Sequence, residues 1–72
     1  MGFNVEPLVH TVFYTSKGWM VRLRTTEVGP YMSQDFALRI AVAEGRHLKE
    51  AGTSVLIVVR DEIGKIVAKY PL

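Results

Sequence analysis

No cysteine occurs among the 72 residues, which excludes disulfides, thiolate nucleophiles and the usual structural zinc sites, since each needs the sulfur. A reducing compartment is the expectation, and with it a cytoplasmic location. The chain also lacks any apolar run near the roughly 18 residues of a membrane span, and MGFNVEPLVH opens without a basic segment leading into an apolar one. No membrane partner is expected. The glycines never fall into G-x-G-x-x-G or G-x-x-x-x-G-K, and Gly64-Lys65-Ile66 has neither the upstream glycine nor the Ser/Thr of a phosphate loop. Ser16 and Ser33 lie outside any G-x-S-x-G elbow, and Asp61-Glu62 beside Gly64 lacks the alternating ligands of a calcium loop. These absences leave no cofactor and no evident small-molecule substrate.

What is present is apolar residue, at 49% of the chain with a formal net charge of +2. That composition supports a folded core, and the mild basic excess allows weak attraction to phosphate without the strong bias of an obligate nucleic-acid binder. A chain of this length is one domain, 1–72, near the size at which only about 60% of the unfolded surface is buried. Association with a second copy would relieve that shortage.

Hydrophobic periodicity divides the chain. Residues 1–7 end at Pro7 and read as a loose lead-in. LVHTVFYT over Leu8–Thr15 is β-branched and aromatic, Ser16-Lys17-Gly18 supplies a turn, and Trp19 to Thr25 alternates as a second strand. TEVGPYM, 26–32, reads as a connector because Gly29-Pro30 punctuates it. Ser33 is a natural N-cap for a helix over Gln34 to Ala51, with Asp35 in its first turn and Gly52 as its stop. Ser54 to Arg60 is a nearly continuous apolar strand, Asp61 to Gly64 turns, and Lys65 to Tyr70 alternates before Pro71. The expected fold is α+β: a single ββαββ domain whose four-stranded, mainly antiparallel sheet has one helix packed on one face.

A helical wheel gathers Phe36, Ala37, Ile40, Ala41, Ala43, Leu48 and Ala51 into the arc facing the sheet. Beneath it are expected Trp19, Val21, Leu23, Val55, Ile57, Val59, Ile66, Ala68 and Tyr70. The opposite face then carries Met20, Arg22, Arg24, Leu56, Val58, Arg60, Lys65, Val67 and Lys69.

The elements Trp19-Met20-Val21, an alanine-rich helix closed by Gly52, a Val/Ile strand and the turn Arg60-Asp61…Gly64-Lys65-Ile66 resemble a family of short uncharacterised bacterial ββαββ domains of unknown function. The resemblance spans His10 to Ala68. It implies the order of elements and no chemistry.

The uncovered face supports two readings. Met20, Leu56, Val58 and Val67 form an apolar patch of the kind that marks an interface, and they are the expected contact residues of a homo-oligomer joined through this face or through an edge strand. Arg22, Arg24, Arg60, Lys65 and Lys69 would alternatively make a basic surface for nucleic acid, although the middle-strand positions where sheet-based RNA readers keep aromatics are Leu56 and Val58. Charged stems on an exposed sheet also have a plain role as solvated cover. Glu44 and His47, one helical turn apart, resemble an acid/base pair, but His10 is the only further histidine and no nucleophile accompanies them. The expected function is contact without catalysis.

Overall fold

Leu8–Thr15 (β1) and Gly18–Leu23 (β2) form an antiparallel hairpin across Ser16-Lys17, with Thr15 opposite Gly18 and Val12 opposite Val21. The turn is held locally, since the Thr15 hydroxyl donates to the Gly18 carbonyl at 3.0 Å and accepts from the Lys17 N–H at 3.2 Å. Gly18 has φ +135°, and a Cβ there would lie 2.9 Å from the Tyr31 carbonyl oxygen, so the position requires glycine. The structure, a computed structural model, describes residues 6–72. Most of the expected lead-in therefore lies outside the described residues.

The segment expected to be a connector is a strand. Thr26–Tyr31 (β3) pairs antiparallel with β2, placing Val28 opposite Val21 and Tyr31 opposite Trp19, and a register shift between Trp19 and Val21 accommodates it. The four-stranded ββαββ arrangement is thereby overturned. The sheet has five strands in the order β3-β2-β1-β4-β5, and it is mixed, because β4 (Val55–Arg60) runs parallel to β1. Proline misled the sequence reading for a physical reason: Pro30 has no N–H to give a ladder, and β3 is an outer strand, which needs only one side paired. The Gly29-Pro30 peptide is cis.

The helix α1, Gln34–Glu50, begins where the sequence indicates. Ser33 caps it, its hydroxyl accepting from the Phe36 N–H at 3.1 Å. At the far end Gly52, with φ +95°, donates to the Lys49 carbonyl, and Thr53 donates to that of Leu48. This pair of bonds is a Schellman closure that satisfies carbonyls the helix leaves open. β5, Ile66–Pro71, then returns antiparallel to β4.

The core lies between α1 and one face of the sheet: Val12, Trp19, Val21, Val55, Ile57 and Val59 from the strands, with Ala37 and Ala41 from the helix. Each fully buried Val or Ile contributes about 1.5–3 kcal/mol. The buried line of the helix runs Ala37, Ala41, Gly45, whereas Phe36, Ala43 and Ala51, expected in the arc, are exposed. Small size decides this line, because it brings the helix backbone close to the strands. A Cβ on Gly45 would stand 2.6 Å from Leu72 Cδ1 and 3.1 Å from Val55 Cγ1. Apolarity alone gives Gly45 no weight, so the wheel places the arc off centre.

Candidate functional site

Two strands form the margins of the sheet, and the helix treats them differently. α1 lies over β1, β4 and β2, reaches β3, and does not extend over β5. Tyr70, expected beneath the helix and lying opposite Ile57, is consequently 45% exposed on that face, whereas a register shift between Val59 and Arg60 sets Ile66, also expected there and 38% exposed, opposite Arg60 of the helix-free face. Val67 of the same strand is 54% exposed. Of the apolar side chains of β5, Ala68 packs against the core while Ile66, Val67 and Tyr70 are exposed. It is paired with β4 along its length, and just past its exit the Leu72 N–H donates to the Val55 carbonyl at 2.9 Å and the side chain tucks against Gly45.

The register assigns the rest of the helix-free face. One row across it reads Glu27, Arg22, Thr11, Val58 and Lys69. Of the expected interface residues, Met20 and Leu56 are half-buried, Val67 is open, and Val58 is only 6% exposed although it faces away from the helix. Phe13, which the sequence reading passed over, lies opposite Met20 and supplies an aromatic to this face. Alternation with Val12 would have found it.

The expected basic surface is dispersed. Arg22 is engaged by Glu27, with Nη2 and Nε at 2.8 and 2.9 Å from Oε2, and its guanidinium lies 4.9 Å from the centre of the Phe13 ring. Arg60 donates from Nη1 to the Gly64 carbonyl at 2.7 Å, closing its own hairpin. Arg24, with φ +55°, sits in the turn that leaves β2, at the opposite end of the sheet from Lys65, which precedes β5. Lys69 is three strand spacings from Arg22, about 14 Å. The cations therefore do not converge.

The possible acid/base residues do not meet either. Glu44 and His47 are exposed on the helix, while His10 is buried beneath it with Nδ1 3.4 Å from the Ala41 carbonyl oxygen. Among the described residues no cluster of three or more His, Cys, Asp or Glu could hold a metal, and no helix is long and apolar enough to cross a membrane. Comparison of the chain with protein-family models, curated proteins and solved structures gave no match. The chemistry of the surface itself is what bears on function.

A further surface was hidden from sequence periodicity because it is assembled by β3. Tyr14 packs on Trp19 with ring centres 5.0 Å apart, and Tyr31 on Phe36 at 5.4 Å. With Pro30 and Met32 these residues line an open cleft at the hairpin end, about 400 Å³ beside Trp19 and continuing past Phe36. Its walls are mixed, with Ser16 and Lys17 beside the aromatic rings. Such a surface can hold a flat or extended apolar group by contact.

Proposed function

We propose that the chain is a non-enzymatic interaction domain that works as a homo-oligomer, with an edge strand as the joining element. The observation that supports this reading is β5, an outer strand with Ile66, Val67 and Tyr70 all exposed. A sheet edge presents unpaired N–H and C=O groups that template pairing with another strand, and apolar side chains flanking that edge add the driving force of burial. Size points the same way, because a domain this small gains from surface buried in association. The half-buried patch of Met20 and Leu56 with Val67 continues this margin onto the helix-free face.

The second reading, nucleic-acid binding through Arg22, Arg24, Arg60, Lys65 and Lys69, has less support, since Arg22 and Arg60 are already engaged within the chain. Solution mass by light scattering at low and moderate salt separates the two. A mass twice the 8.1 kDa of one chain at both salts is the expected result. A single-chain mass, together with salt-dependent binding of single-stranded nucleic acid that Arg22→Ala weakens, would replace the first reading by the second. Val58→Glu is a poor probe of association, because the 6% exposure of Val58 would leave the new charge buried in the single chain.

A further inference from the structure

We infer that the cleft at the hairpin end is a docking site for a proline-rich peptide that carries an acidic residue. This goes beyond association through an edge strand, since the cleft is built from β1, β2, β3 and the start of α1 and includes nothing of β5.

Pairing sets Tyr14, Trp19 and Tyr31 side by side across β1, β2 and β3. Phe36, in the first turn of α1, packs on Tyr31 and extends the row. Along it lie two cavities, of about 400 and 260 Å³, that share Pro30, Tyr31 and Met32. The shared residues are a ridge between two subsites. Tyr14 and Phe36 are about half exposed and Met32 fully so, which leaves three large side chains uncovered at this end of the molecule.

The polar groups of the cleft select the occupant. Trp19 is 9% exposed, and its indole N–H, which can only donate, has no acceptor among the described residues yet is not sealed from water. Lys17 Nζ also only donates, and it forms no ion pair among the described residues. No carboxylate or amide side chain lines either cavity. A ligand suited to these walls offers carbonyl oxygens and asks for no acceptor in return. A polyproline II segment does so, because proline has no N–H, and its preformed shape docks in aromatic-lined grooves at little entropic cost. With three residues per turn it turns neighbouring rings to one side, which matches two subsites divided by the Tyr31 ridge. The ammonium of Lys17 beside the larger subsite is complementary to an Asp or Glu next to the prolines.

Other occupants fit less well. A strand added to β3 needs a regular edge, which the register shift and Pro30 break. A small molecule would stay largely in water in so open a cleft. Bases stack on such rings, but one lysine supplies little of the phosphate attraction that strand binding requires.

Trp19 is the only tryptophan, so its fluorescence reports the cleft directly. The probe is a synthetic oligoproline of roughly nine residues flanked by glutamate. A saturable change in Trp19 emission is expected, and Phe36→Ala, at an exposed position, should weaken binding about tenfold while the circular dichroism stays native. Lys17→Glu, in the exposed turn, should reverse the charge preference, so that the variant takes lysine-flanked oligoproline more tightly than the glutamate-flanked one. A lysine with a purely structural role would leave that preference unchanged, and an unchanged preference overturns the acidic partner. Equal binding of a Gly/Ser peptide with the same glutamates would overturn the proline requirement. Absence of saturation by oligoproline, or the same emission change from oligothymidylate alone, would overturn peptide docking. Emission that shifts with protein concentration in the absence of peptide would assign the cleft to a second copy instead. Should Phe36→Ala fail to fold, the charge preference of Lys17→Glu decides.

Discussion

β3 and β5 are both outer strands of one sheet, each with a register shift and a proline, yet the helix reaches only the first of them. β3 carries Gly29-Pro30, lies beside a register shift, ties its Glu27 to Arg22 and turns Val28 and Tyr31 into the core. Irregularity, proline and charge are devices that discourage an edge from recruiting another strand, and β5 shares them in its own register shift, Pro71 and Lys69. β5 is not covered by the helix and shows Ile66, Val67 and Tyr70 to solvent. The difference teaches that the helix position, more than strand composition, decides which margin is closed by the chain itself. A single helix is too narrow to cover five strands, and here it favours the β3 side.

The largest expected break in this comparison comes from matched truncations. Trp19→Ala removes a core side chain beneath the β3 side and should cost about 3–5 kcal/mol in urea denaturation. Ile66→Ala on β5, measured at low protein concentration, should cost about 1 kcal/mol or less, in keeping with a side chain that is already partly solvated. Equal costs would mean that β5 belongs to the core of the single chain.

Gly29→Ala tests the irregular edge next. At φ +124° the new Cβ would meet the Trp19 carbonyl oxygen at 2.8 Å and Met20 Sδ at 3.0 Å. A loss of about 1–3 kcal/mol is expected from the strain, and a neutral substitution would show that β3 can straighten. Smallest is Arg22→Ala, which deletes an exposed ion pair with Glu27 and should change stability by about 1 kcal/mol or less, fading as salt rises. A larger, salt-independent loss would assign the guanidinium's contact with Phe13 a packing role instead.

The boundaries of α1, the hairpin of β1 with β2 and the buried faces of β2 and β4 were legible because each has a local cause: Ser33 and Gly52 at the helix ends, Ser16-Lys17-Gly18 at the turn, and period-two alternation in the strands. β3 was not legible, since its pairing depends on being at the sheet margin, where Pro30 can do without an N–H. The exposure of Ile66 and Tyr70 was hidden for a related reason. Alternation places both on the helix side, but the register shift at Arg60 breaks the alternation at Ile66, and for Tyr70 only the lateral position of α1, set by the close fit of Ala37, Ala41 and Gly45 on the central strands, determines how far its cover extends. The aromatic cleft required the pairing of Tyr31 with Trp19 and so could not be seen before β3 was.

Amide hydrogen exchange at Lys69 addresses the central claim most directly, because the Leu72 N–H donates to Val55 and the pairing is regular from Pro71 to Ala68, so alternation turns the Lys69 N–H away from β4. If β5 joins two copies, this amide exchanges slowly at high protein concentration and becomes fast on dilution. Fast exchange of Lys69 at every concentration at which the chain has a doubled mass would contradict it.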